Sequence, residues 1–118
     1  MNSNELYWLA GILEGEGSFG HTSSSPTVRL GMTDLDVVTR AATLMNCNVK
    51  KMRPSPWGTV MYRCSVHGDN AIKLMEAIRP IMGHRRLQKI DLLLKWASDR
   101  PGYKYGPKRA KLNLGIAQ

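Results

Sequence analysis

The chain has 118 residues, of which 42% are hydrophobic, and this is enough to bury the core of one domain. Its 17 lysines and arginines against 9 acids give a formal net charge of +8, which favours a polyanion such as nucleic acid as the partner. No apolar run reaches the length of a membrane span, and the first residues lack a signal-peptide pattern. We therefore expect an intracellular protein, of the cytoplasm, nucleoid or an organelle matrix.

A helix is predicted from about Asn4 to Gly15, with Ser3 or Asn4 as its N-cap. Apolar side chains recur at helical spacing along one of its faces, namely Leu6, Leu9, Ala10 and Leu13. Gly11 and Gly15 lie on another face, where each glycine costs roughly 0.5–1 kcal/mol relative to alanine. Close packing of a second helix against these glycines would explain the cost.

Two carboxylates, Glu14 and Glu16, end this helix, and Gly17 follows them as the stop. Both acids face the negative end of the helix dipole, and no lysine or arginine in that turn offsets them. A segment that departs from two local preferences at one place is typical of a functional site.

Two strands and a second helix are predicted next. The strands run from Ser18 to about Thr22 and from Thr27 to Met32, and a Ser/Pro turn joins them. The second helix begins after a capping segment at Thr33 and runs to about Met45, with Asn46 as the stop.

A hairpin of two further strands is predicted at Cys47–Arg53 and Gly58–Val66, around the turn at 54–57. The predicted register places Cys47 opposite Cys64, and we interpret the pair as two buried thiols. Two cysteines this far apart, with three scattered histidines, do not make a zinc site.

The last predicted elements are a helix that opens at Gly68 and breaks near Pro80, and a helix from about His84 to Ala97. Beyond residue 100 the chain carries basic residues and no acid. We therefore predict one domain over residues 1–100 and a basic tail over residues 101–118, whose charges either contact phosphates or only solvate the end of the chain.

The sequence LAGILEGEG at residues 9–17 resembles the LAGLIDADG motif of homing endonucleases. It has Glu where the family has Asp at positions 14 and 16, and Gly for Ala at 15, and these changes preserve charge and small size. The predicted element order is also that of a single LAGLIDADG domain. The resemblance implies an α+β fold, αββαββα plus a C-terminal helix, in which a curved four-stranded antiparallel sheet has helices on one face and pairs into a homodimeric saddle.

The chain holds one such motif, so the first helix is expected to pack on its own copy in a two-fold homodimer. The predicted interface comprises Tyr7, Trp8, Gly11, Ile12 and Gly15.

The resemblance also implies the catalytic groups. Glu16 corresponds to the family's metal-binding acid, and the backbone carbonyl of Gly15 adds a ligand for Mg²⁺, or for Mn²⁺ or Ca²⁺ in crystals. Glu14 is assigned to positioning or helix packing. Arg85, with Arg86 second, corresponds to a basic residue that reaches the active site; both arginines being solvated on a helix face is the alternative. Asp34 either orders active-site water or stabilises a helix N-terminus.

The polar face of the predicted sheet is the candidate DNA-binding surface. Its members are Ser18, Gly20, Thr22, Thr27, Arg29, Asn48, Lys50, Thr59, Met61, Arg63 and Ser65. Arginine and asparagine suit purine edges in the major groove, and Lys50 suits a base or a phosphate. A dimer of identical halves would read near-palindromic double-stranded DNA and cut both strands across the minor groove.

Three other functions fit the sequence. An intron maturase would use the same fold to bind intron RNA, and a non-catalytic DNA-binding regulator would use it without cleavage. The retained acid at Glu16 favours a nuclease over both, since binding alone has no need of it. A small basic domain with a coincidental motif would be monomeric.

Overall fold

The computed structural model describes residues 1–100. The elements in chain order are α1 (Ser3–Glu16), β1 (Gly17–His21), β2 (Pro26–Met32), α2 (Leu35–Met45), β3 (Lys50–Lys51), β4 (Tyr62–His67), α3 (Gly68–Ile78), a 3-10 turn (Arg79–Ile81) and α4 (His84–Asp99). The predicted basic tail lies outside the described residues. Among the helices of residues 1–100, none is both long enough and apolar enough to cross a bilayer.

The four strands form one antiparallel sheet in the order β1-β2-β4-β3, which confirms the predicted α+β class and sheet. One sheet face is buried against the helices through Phe19, Val28, Leu30, Cys64 and Val66. Facing them, the helices contribute fully buried side chains that include Leu9, Leu13, Met75 and Ile90. The opposite sheet face carries the polar side chains, as period-two alternation requires.

The helix α1 begins one residue earlier than predicted because Asn2, not Ser3 or Asn4, is its N-cap. Asn2 Oδ1 accepts a hydrogen bond from Glu5 N, and Asn2 N donates to Glu5 Oε1, both at 2.8 Å. This reciprocal pair is a capping box, which satisfies two backbone N–H groups at the helix start. The first turn of α1 is therefore held in place by the side chain of the residue that precedes the helix.

At its other end α1 passes directly into β1 through Gly17, which is buried. A Cβ on Gly17 would lie 2.6 Å from the backbone oxygen of Leu13 and 2.9 Å from its Cα, so no other residue fits without a backbone shift. The Gly17 N–H donates to the same Leu13 oxygen. Glu16 is thus the last residue of a helix that is fixed to the edge of the sheet.

The β3–β4 hairpin differs from the prediction. It pairs Lys50 with Arg63, a register two residues away from the predicted one, and its ladder is shorter. An even shift keeps every side chain on its predicted face. The ladder is short because residues 54–58 form a tight turn around Ser55, flanked by two prolines that cannot donate backbone hydrogen bonds.

Cys47 and Cys64 are free thiols, and Cys64 is buried as predicted, whereas Cys47 is only half-buried. The shifted register no longer places them opposite each other. Cys47 precedes β3, where its N–H donates to Ala42 O at the end of α2. Burial is the main cause that raises the pKa of Cys64 to about 12, and it also raises the pKa of Cys47. Both side chains therefore remain protonated and behave as core groups.

The remaining helix boundaries follow the predictions closely. Asp34 is the N-cap residue of α2, one residue later than predicted, and its side chain makes no capping hydrogen bond. Asn46 ends α2 in the left-handed conformation with φ of 57°. The helix α3 ends at Ile78, two residues before Pro80.

Glu76 on α3 gives a testable pH dependence of stability. Its burial raises its pKa from the ordinary 4.5 to about 7, against the attraction of Lys73. Between these two values the folded protein binds more protons than the unfolded chain, so stability falls as the pH rises from 4.5 to 7. Across this pH window we expect the free energy of unfolding of the wild type to fall by on the order of 2 kcal/mol through Glu76, and Glu76→Gln should remove this fall. Urea unfolding of both proteins between about pH 4 and pH 8 measures the slope, and parallel curves would contradict the prediction.

Candidate active site and nucleic-acid interface

Glu16 is exposed at the C-terminal end of α1. Its carboxylate makes neither a hydrogen bond nor an ion pair with any other residue of 1–100. Gly15, whose backbone carbonyl is the second predicted ligand, is also exposed. The structure therefore presents the predicted metal-binding acid to solvent on a rigid helix end.

Glu14 has a different environment, because it joins α1 to the start of α4. One of its carboxylate oxygens accepts a short hydrogen bond from the backbone N–H of Gly83. Arg86 Nε donates to the Glu14 backbone oxygen at 3.1 Å and lies 3.9 Å from its other carboxylate oxygen. The guanidinium of Arg86 also lies over the Phe19 ring, 5.7 Å from its centroid. These contacts fit the positioning role expected for Glu14, and they use Arg86 to hold two helices together.

Arg85 is exposed and lines a groove with Gly17, Ser18, Phe19, Arg86 and Lys89. The predicted cation thus lies beside the first residues of β1, immediately after Glu16. Lys89 is a second exposed cation here, and it was not among the predicted site residues. Arg85 and Lys89 are four residues apart and therefore lie on one helix face, and this spacing could have identified Lys89 from the sequence.

Asp34 is exposed at the N-cap of α2 and does not line that groove. Its side chain makes no hydrogen bond to the helix start. Both predicted roles, ordering water and stabilising the helix dipole by charge alone, stay predictions.

The open face of the sheet brings predicted DNA-binding residues together across three strands. Ser18 pairs with Arg29, and Arg29 pairs with Ser65, so the three side chains form a row. A neighbouring row runs from Gly31 through Arg63 to Lys50. Met61 continues this face beyond the ladder, since its Cε lies 3.8 Å from the Cβ position at Gly31.

Other members of the predicted surface are less available for contact. Alternation along β2 places the Thr27 side chain on this face, but the residue is only 6% exposed. Gly20 is half-buried beside it. Thr22 lies in the β1–β2 turn, where its hydroxyl accepts from Ser25 N at 3.1 Å. Thr59 and Asn48 are exposed but lie outside the strands.

The lining of a concave part of the open face includes six polar side chains, namely Arg29, Asn48, Lys50, Arg63, Ser65 and His67, together with Cys47, Val49 and Cys64. Arg29 Nε is buried there and has no hydrogen-bond partner within residues 1–100. His67 was missed because the fourth strand was predicted to end at Val66. Its Nε2 lies 3.3 Å from Ser65 Oγ, and the alternation of Arg63, Ser65 and His67 could have identified it.

The outer face of α1 has the properties expected of a helix-packing surface. A Cβ on Gly11 or Gly15 would meet no atom within 4 Å, and Tyr7 beside them is 62% exposed. Ile12 is half-buried at the margin of the same face. Trp8 is also half-buried, with the Arg40 guanidinium 4.0 Å from its ring centroid. Nothing within residues 1–100 fills the space above the two glycines.

The donor set of one chain fits part of a divalent-cation site. Within residues 1–100, no group of three or more His, Cys, Asp or Glu side chains is close enough to hold a metal ion. At the end of α1 the chain offers the unpaired carboxylate of Glu16 and the exposed carbonyl of Gly15. These are hard oxygen ligands, and Mg²⁺ keeps several waters, so it needs few ligands from any one chain.

Comparison with solved structures shows that this fold is shared with a homing endonuclease. A crystal structure of the homing endonuclease I-CvuI in complex with its target (Sro1.3) in the presence of 2 mM Ca has a TM-score of 0.56 and 15% identity, covering 80% of this chain and 68% of that chain. A second structure of I-CvuI, with the I-CreI target (C1221) in the presence of 2 mM Mg and DNA not cleaved, has a TM-score of 0.55 and 14% identity over the same shares. No protein-family model and no curated protein matches the sequence.

Proposed function

We propose that this protein is a LAGLIDADG homing endonuclease that acts as a homodimer on near-palindromic double-stranded DNA. The observation that carries the proposal is the unpaired, exposed Glu16 carboxylate at the end of the motif helix, next to the groove lined by Arg85 and Lys89. The shared fold supports it, since I-CvuI is a DNA endonuclease solved with its target.

The open glycine face of α1 supports the proposed homodimer. Packing Gly11 and Gly15 of one chain against the same residues of a second chain would bring the two backbones close together. The helix ends would then meet at the two-fold axis, with one Glu16 from each chain. Two carboxylates at close range repel each other unless cations lie between them.

Glu16 and the Gly15 carbonyl would hold a divalent cation, Mg²⁺ by our prediction. Such an ion lowers the pKa of bound water and stabilises charge on the oxygens of a phosphodiester. Arg85 and Lys89 face the same groove and would offset the charge of the phosphate. Arg86 cannot do so without leaving Glu14, so its role is to fix α4 against α1. Asp34 would order water from the start of α2.

The rows of the open sheet face would contact DNA. Arg29 and Arg63 have the geometry for guanine edges, and Lys50 suits a base or a phosphate. The remaining predicted members are Ser18, Gly20, Thr22, Thr27, Asn48, Thr59, Met61 and Ser65. In this proposal residues 1–100 are the endonuclease domain, and the basic residues beyond 100 add phosphate contacts that carry no sequence information.

Selection of cut sites from a randomised palindromic duplex library tests the function. With Mg²⁺ we expect recovery of one related set of sites, cut on both strands with short 3′ overhangs, and no cutting when EDTA is present. Recovery of bound but uncut duplexes with Mg²⁺ would instead favour a non-catalytic DNA-binding regulator. Binding of structured RNA and not of duplex DNA would favour a maturase.

A further inference from the structure

The tip of the β3–β4 hairpin displays a tryptophan to solvent. Trp57 is 88% exposed, the most exposed large hydrophobic side chain of residues 1–100. An indole has a large apolar surface, and most tryptophans in folded proteins bury much of it. The proposed catalytic and base-contacting residues do not include this side chain, so its exposure needs a separate explanation.

The turn that carries Trp57 is well ordered by hydrogen bonds that converge on Ser55. Ser55 Oγ accepts from Thr59 N at 3.0 Å and from Trp57 N at 3.3 Å. Ser55 O accepts from Gly58 N, and Ser55 N donates to Thr59 O, both at 2.9 Å. Gly58 has φ of +82°, which suits glycine, and prolines at 54 and 56 restrict the backbone further. The hydrogen-bonded turn therefore holds the Trp57 indole in an outward position.

The charge of the hairpin indicates which partner the indole meets. Residues 47–67 contain four lysines and arginines and no acidic residue, and the stem carries Lys50, Lys51 and Arg53 in exposed positions. This stem is continuous with the open sheet face, through the pairing of Lys50 with Arg63 and the hydrogen bond from Met52 N to Met61 O. An aromatic side chain on a basic, rigid support is suited to a polyanion whose bases offer flat apolar surfaces.

We propose that Trp57 is a DNA contact that packs its indole against a base step of the duplex, outside the bases faced by the sheet. The inference rests on the proposed DNA binding and adds a contact to it. An apolar side chain inserted at a base step partly unstacks it and reads no hydrogen-bond pattern, so the contact tolerates sequence variation. Trp57 therefore contributes to affinity and placement on the duplex, and the sheet face contributes to the choice of sequence.

Measurement of duplex affinity in two Trp57 variants tests the inference. The probe is a mixed-sequence duplex of about 40 base pairs at about 50 mM salt, followed by any site recovered from the selection. We expect Trp57→Ala to weaken binding by about 5- to 150-fold, whereas Trp57→Phe retains it within about threefold. Leu92→Ala is the matched control, because Leu92 is an exposed apolar residue on α4 at 67% exposure. It should leave binding unchanged.

Tryptophan fluorescence gives a second, independent readout. The chain has three tryptophans, and Trp8 and Trp96 are half-buried, so the difference between wild type and Trp57→Phe isolates the emission of Trp57. DNA should quench this emission and protect it from acrylamide. If wild type binds no duplex, the proposed function fails. If wild type binds but Trp57→Ala binds equally well, or Trp57 stays accessible in the complex, the DNA contact is wrong and the proposed function stands.

Discussion

Replacing Glu16 with glutamine is expected to reduce DNA cleavage by at least about a thousandfold while duplex affinity changes by less than about threefold. The carboxylate of Glu16 has no partner within residues 1–100, so its removal breaks no internal contact and should not unfold the domain. A glutamine amide keeps the shape but lacks the negative charge that a divalent cation requires. Cleavage of a selected site, duplex affinity and thermal unfolding are measured on the same preparations.

Two further variants make this result specific. Asp36→Asn removes a negative charge from another exposed helix position and should leave cleavage unchanged. Glu14→Gln removes the charge that faces Arg86. Because Glu14 joins α1 to α4, we expect this variant to lower the free energy of unfolding and to reduce the cleavage rate far less than Glu16→Gln does. If Glu16→Gln cleaves at the wild-type rate, the assigned catalytic role of Glu16 is wrong, whatever the oligomeric state.

The sequence was most informative where one local pattern decided the structure. The spacing of Leu9, Ala10 and Leu13 predicts the buried face of α1, and their burial is observed. Alternation along β2 and β4 predicts which side chains share the open face, and this survives a register error because the error is two residues. These features depend on near neighbours in the chain.

The sequence was least informative where contacts join distant segments. Arg85 and Arg86 are adjacent and chemically equal, and only the approach of α1 to α4 decides that Arg86 binds Glu14. The length of β3 likewise depends on how Ser55 collects the hydrogen bonds of its turn, which alternating residues do not reveal. The prediction of Arg85 combined the family resemblance with its spacing from Pro80, and neither of these indicates which arginine binds Glu14.

Replacing Gly11 with leucine is expected to convert the proposed homodimer to a monomer. The monomer should cleave neither DNA strand. The space above Gly11 is open in the single chain, so a side chain there should leave the fold intact. Against a second α1, however, leucine would separate the two backbones and draw the Glu16 carboxylates apart. Sedimentation at micromolar protein concentration, with and without duplex DNA, measures the change. Gln88→Leu, at an exposed position of α4, is the matched control.

Alanine at the same position distinguishes a packed helix from an exposed one by the sign of its effect. On a solvent-facing helix, Gly11→Ala should raise the free energy of unfolding by roughly 0.5–1 kcal/mol, because alanine favours the helix more than glycine. In a close glycine-mediated contact, the same methyl group should weaken association, since the opposing backbone has no room to retreat. We therefore expect Gly11→Ala to stabilise the fold at dilution but to destabilise the dimer. Stabilisation at every protein concentration would mean that no second helix packs here.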